Sequence, residues 1–92
     1  MQKHILKIKH EFWNKILDDT KKCEIRLNDR DYQKGDTIVF KTLWESDIRP
    51  AEVRFEENYL IHDEREFLIT HVLHFPEGLK EGYVALSIQP IN

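Results

Sequence analysis

The densest chemistry in the sequence lies between Lys21 and Asp36, where Lys21-Lys22-Cys23-Glu24-Ile25-Arg26 runs into Asn28-Asp29-Arg30-Asp31 and then Gly35-Asp36. From Lys22 to Leu27, charged Lys22, Glu24 and Arg26 alternate with Cys23, Ile25 and Leu27, the period of a strand with one ionic and one core face. Arg26 carries a rigid fork of donors that suits phosphate, carboxylate or a carbonyl edge. Glu24, two residues earlier, can orient that fork or accept from a ligand amide. The competing reading is a solvated face whose ion pairs contribute on the order of 0 to 1 kcal/mol each. On the apolar face, Cys23 is expected to pack rather than react, and as the only cysteine it forms no internal disulfide.

Turn chemistry surrounds this strand. Asn28 to Asp31 forms one dense turn signal, and Gly35-Asp36 a second, just before the apolar run Thr37-Ile38-Val39-Phe40. The combination Lys-x-x-Glu-x-Arg, Asn-Asp-Arg-Asp and Gly-Asp resembles the ASCH domain family, whose members are similar in fold to PUA domains. The likeness is to a small single-domain, bacterial and phage-associated branch of unassigned function. It extends to His4-Ile5-Leu6-Lys7-Ile8 as opening strand, Phe12 to Leu17 as first helix and Gly82 to Ile88 as closing strand. Lys41 to Phe75 matches only in general strand character. Where the family carries glycine two residues before the motif lysine, this chain has Asp19, one of the few other residues that tolerate positive φ.

The elements that must position these groups read as strand at 4–9, helix at 11–17 and strands at 22–27 and 37–44. Further strands are expected at 52–59, 67–75 and 83–89, where aromatic and β-branched residues gather. Phe12, Trp13, Ile16 and Leu17 make one broad apolar stripe, so the helix packs on the strands and Trp13 is a core residue. Many short strands with one early helix fit an α+β domain built as a small, partly open β-barrel. The resemblance makes that barrel PUA-like, a single domain over residues 1–92. Trp44, at a strand end beside Glu45-Ser46-Asp47, is either packed or free to stack on a base.

With 92 residues and 40% hydrophobic composition there is room for one core, and the absence of a long apolar run or a secretion-type N-terminus points to a cytoplasmic protein without membrane contact. A net charge of -3 argues against gripping long nucleic acid through bulk electrostatics. The charge is uneven: residues 1–50 hold 11 basic and 9 acidic side chains, residues 51–92 hold 3 and 8. An anionic ligand is therefore expected near Lys21 to Arg30. His71-x-x-His74 is the tightest histidine pair, but a strand points positions three apart to opposite faces, and no metal or other cofactor is expected. His62, beside Asp63 and Glu64, reads as a solvated turn.

By the resemblance, a cleft between barrel and helix would take RNA or a nucleotide. Lys21 would meet phosphate or a carbonyl, Glu24 and Arg26 would read an edge, and Arg30 would stand as a second cation at the mouth. A related ASCH branch is associated with amide hydrolysis of N4-acetylated cytidine, its motif lysine acting with a threonine and a glutamate. Here Glu24 occupies the threonine position, and Lys21 with Glu24 would be the catalytic pair of an analogous hydrolase. Glu24 next to Lys21 favours the charged ammonium, which opposes its use as a base. A third reading is an accessory protein that binds another protein through exposed strand edges.

Overall fold

The computed structural model describes residues 1–91. Alternation of buried and exposed residues sets the first strand, β1 (Lys3–Lys7), with His4 and Leu6 inward and Lys3 and Lys7 outward. Helix α1 (His10–Leu17) follows, with Glu11 in its first turn and Lys15 in its last, both favourable to the helix dipole. Of its apolar stripe, Trp13 and Ile16 are buried, whereas Phe12 and Leu17 remain 44% exposed. Asp19 ends the helix at φ 67. The Thr20 N–H returns to the Lys15 carbonyl and the Asp19 N–H to that of Ile16, a Schellman closure of the kind glycine usually makes. The expected positive-φ turn is thus formed by aspartate, and it delivers the chain to Lys21.

The remaining strands are β2 (Cys23–Leu27), β3 (Thr37–Leu43), β4 (Arg54–Glu56), β5 (Tyr59–Leu73) and β6 (Tyr83–Pro90). They form one sheet in the order β1-β3-β5-β6-β2, with β4 paired to β5. Only β1 and β3 run parallel. The sheet curls into a half-barrel whose two margins, β1 and β2, share no ladder, and α1 lies against its concave side: an α+β, mostly strand, partly open barrel. Among the described residues no helix is long and apolar enough to cross a membrane.

Leu6, Trp13, Ile38, Phe40, Phe67, Ile69, Val84 and Leu86 fill the interior. Trp13 meets the ring of Phe40 at 5.9 Å and of Phe67 at 6.4 Å, the tilted and edge-on arrangements that aromatic quadrupoles favour. A buried polar knot fixes the margin β1 to β3. Asp36 accepts from the Gln2 and Gln33 N–H groups, each at 3.0 Å, and pairs with His4 Nε2 at 2.9 Å. Burial alone would raise the Asp36 carboxyl, but these hydrogen bonds and the nearby His4 hold it below its ordinary value.

Three expectations are corrected. The strands expected at 52–59 and 67–75 have other bounds: the first shrinks to β4, Arg54–Glu56, and the second begins at Tyr59 and runs unbroken to Leu73 as β5. Opposite Val39 and Lys41 its register jumps from Glu66 to Ile61, so residues 62–65 form a bulge in which Asp63, Glu64 and Arg65 are exposed, and this lets charged residues sit inside a strand. His62 is not in a solvated turn: its ring stacks on Trp13 at 4.4 Å and bonds the Thr42 hydroxyl at 2.8 Å. The faces of β2 are reversed: Glu24 is 5% exposed, while Ile25 and Leu27 are 56% and 48% exposed and Cys23 is likewise exposed. Periodicity separates the two sets of side chains, but only the sheet's curvature decides which set faces in.

Candidate functional site

The margin strand β2 pairs antiparallel with β6, Glu24 opposite Leu86 and Arg26 opposite Val84, and this turns both charged side chains toward the open side of the half-barrel. Leu86 and Val84 are core residues, so Glu24 points into largely apolar surroundings. A carboxylate there must be matched by donors. Lys21 Nζ supplies one at 2.9 Å from Oε1, and Arg26 Nε supplies the other at 2.9 Å from Oε2. Glu24 is thereby fully engaged by the two cations that the sequence pattern places with it.

Both cations have further partners. Lys21 Nζ also donates to the Cys23 carbonyl and lies 5.7 Å from the centre of the Phe12 ring. Arg26 Nη2 donates to the Lys7 carbonyl on the opposite margin. Arg30 reaches that margin too, its Nη1 3.2 Å from the Ile5 carbonyl. Two arginines therefore span the gap between β1 and the turn side of β2, where no backbone ladder closes the barrel.

Beside this bridge lies a groove of about 520 Å³ lined by β1's end (Lys7, Ile8, Lys9), Phe12 of α1, the segment Lys21 to Leu27 without Lys22, and Tyr83. Lys21, Glu24 and Arg26 are brought together on its wall; Arg30 is not among the lining residues and sits along the β1 edge instead. Its walls carry four cationic side chains, Lys7, Lys9, Lys21 and Arg26, against the single carboxylate Glu24. Among the described residues neither Lys7 nor Lys9 meets a carboxylate. The groove is thus locally positive in a chain of net charge -3, with Phe12 and Tyr83 as aromatic walls. Such a site can neutralise an anion, donate to carbonyl or phosphate oxygens and hold a flat apolar face. Lys21, paired as an ammonium, is arranged to donate hydrogen bonds.

A larger depression of about 670 Å³ lies on the other side of Tyr83, around His74 to Pro76 and Lys80 to Val84. Its one lysine and one glutamate are adjacent in sequence and do not converge with other charges, so the smaller groove is the better candidate.

Sequence reasoning missed several contributors. Lys7 and Lys9 were hidden in an ordinary strand-to-helix passage, and Phe12 was counted with the core stripe. Tyr32, 3% exposed, packs edge-on against His4 at 4.8 Å behind the site. Burial raises its phenol, and Arg26 and Arg30 act in the opposite direction. The Lys-x-Lys spacing at the end of a strand was the one available signal for the missing cations. Trp44 is half-buried, its indole N–H on the Ile48 carbonyl at 3.1 Å and its ring edge-on to Phe55 at 5.8 Å. It is remote from the groove lining. His71 and His74 are both exposed, and no group of three or more metal-ligating side chains occurs among the described residues.

Residues 3–88 match a family model described as a domain of unknown function (DUF3850). Among curated proteins none matches the chain.

Proposed function

The chain belongs to the DUF3850 family, and from that premise we propose that this domain binds RNA or a nucleotide in the groove between β1, α1 and β2. The carrying observation is the charge arrangement: Lys7, Lys9, Lys21 and Arg26 face one groove whose only carboxylate is already held by two of them. An uncompensated cluster of cations costs self-repulsion, which a phosphate relieves. Phe12 and Tyr83 give a base surfaces to lie against, an interaction worth about 1–3 kcal/mol per base. Lys21 and Arg26 then meet phosphate or carbonyl oxygens, and Glu24 fixes both.

The half-barrel with this strand at its margin also supports the finer reading of the fold as an ASCH domain of PUA-like type. The small groove and acidic remainder of the surface favour a nucleotide or short single strand over duplex. An amide hydrolase reading has less support, because Lys21 is engaged by Glu24 rather than poised as a base.

The test is an amide chemical-shift titration with nucleotides, N4-acetylcytidine and a short single-stranded RNA. Shifts should cluster at Lys7 to Phe12 and Lys21 to Arg26, and Lys21→Ala or Arg26→Ala should abolish them with the fold intact. Unchanged affinity in both variants would sink the groove model. New ligand resonances would make the domain an enzyme, and no shifts with any ligand would move the weight to a protein partner.

A further inference from the structure

The segment Lys7-Ile8-Lys9 is the rim of the groove and also the rim of a second depression of about 390 Å³, lined by these three residues with His10, Leu43 and Tyr59. The two hollows therefore abut along one ridge that carries two lysines.

Strand register explains the second hollow. Lys7 on β1 lies directly opposite Lys41 on β3, and Leu43 opposite Tyr59. Lys7 Nζ lies 4.7 Å and Lys41 Nζ 5.3 Å from the centre of the Tyr59 ring, so two ammonium groups bear on one aromatic side chain. Like charges at directly paired positions are destabilising. Glu56 accepts from Lys41 Nζ at 2.7 Å, and this ion pair, chiefly its hydrogen bond, holds the Glu56 carboxyl below its ordinary value, with Lys7 adding a weaker Coulombic pull. Among the described residues Lys7 makes no direct ion pair and feels Glu56 only at longer range, and no carboxylate lines the depression. Lys9, next along the ridge, likewise makes no direct ion pair among them.

We propose that the two hollows are successive subsites of one track for single-stranded oligonucleotide. One nucleotide occupies the groove at Lys21, Glu24 and Arg26, its neighbour lies in the hollow walled by Tyr59, and Lys7 and Lys9 take the linking phosphate on the ridge. This rests on the groove being a nucleotide site and adds to it the class of ligand: a chain rather than a mononucleotide. A cationic path interleaved with aromatic side chains is the arrangement that follows a single strand without reading its sequence. A mononucleotide would fill the first hollow and leave the ridge lysines Lys7 and Lys9 without a directly bonded anion.

The experiment is calorimetric titration of the full chain with uridine monophosphate and with tetrauridylate at several salt concentrations, repeated on Tyr59→Ala, Tyr59→Leu and Lys7→Ala, with amide spectra as the check of folding. The tetranucleotide should bind about tenfold or more tightly than the mononucleotide. Both Tyr59 variants should collapse that ratio toward unity, and Lys7→Ala should flatten the salt slope for the tetranucleotide by about 0.7. Tyr59→Leu keeps an apolar body at the position, so loss of the ratio in a folded Leu variant assigns the effect to the aromatic wall. Equal affinity for both probes, or a ratio untouched by folded Tyr59 variants, overturns the track and leaves the groove standing. Failure of the wild-type chain to bind either probe overturns the groove reading itself.

Discussion

The centre of the sheet and its β2 margin obey the same alternation with opposite results. Along β3 and β6 the inward residues are Ile38, Phe40, Val84 and Leu86, all at most 2% exposed. Along β2 the inward residue is Glu24, and the apolar side chains Ile25 and Leu27 are turned out to solvent. Folding energy alone would have chosen the reverse orientation at the margin, since two large aliphatic groups forgo burial there. The difference teaches where this chain gives up stability: an apolar residue would pack at the inward position of the margin more cheaply than an ion triplet does.

That contrast can be broken or sharpened by substitution. Phe40→Ala, at the centre, should cost about 3–5 kcal/mol, read as a collapse of the urea midpoint; a mild effect would mean that the centre is not the core. Glu24→Ala should be smaller, about 1–3 kcal/mol, because Lys21 and Arg26 are left without their acceptor but keep carbonyl partners and some solvent. It should nevertheless abolish ligand binding, so a stable variant with full affinity would reduce the triplet to ordinary surface pairing.

Acidification probes the line between the two regions at His62. Burial against Trp13 pushes its imidazole below the ordinary 6.5, with Glu64 opposing. The native state thus prefers the neutral ring, whereas the unfolded chain takes up its proton first. The stability this contributes is present in full above about pH 6.5 and is lost as the pH falls from there toward the lower native value. Urea midpoints between neutral and mildly acidic pH should fall in the wild type and fall less in His62→Gln; identical slopes would remove His62 from the account. Smallest of all, Ile25→Thr should change stability by no more than about 0.5 kcal/mol in the same assay, since the residue it replaces is already 56% exposed. A loss comparable to that of Phe40→Ala would show that the outward face of β2 is covered by a partner.

Most of the frame was legible because short alternating strands announce themselves: β1, β2, β3 and β6 begin or end within two residues of the expected positions. β5 was not, because a strand that bulges at 62–65 exposes a charged stretch that looks like a loop, and only its register with β3 reveals continuity. Lys21, Glu24 and Arg26 were legible as a set since their spacing is local. The inversion of β2 was not, because which face turns inward depends on β6, nearly sixty residues away, and on the curl of the whole sheet. Lys7, Lys9 and Phe12 were missed for the same reason: they reach the groove from the end of β1 and from α1, and beyond the Lys-x-Lys spacing only the tertiary fold reveals it. Asp19 is the contrary case, a single residue whose tolerance of positive φ was enough to anticipate its turn.

The pairing of β2 with β6 also sets when the site comes into being. Lys21, Glu24 and Arg26 are made early, yet the strand that carries them has its only ladder with residues 83–87. As the chain emerges from synthesis, β1 and α1 can find β3, and β3 can find β5, while β2, with its local ion pairs and exposed aliphatics, waits for a ladder. Contacts of such long sequence separation are slow to close. The groove is therefore complete only when β6 pairs, and a nascent chain lacking residues 83–87 has the barrel's beginnings but not this wall of the groove.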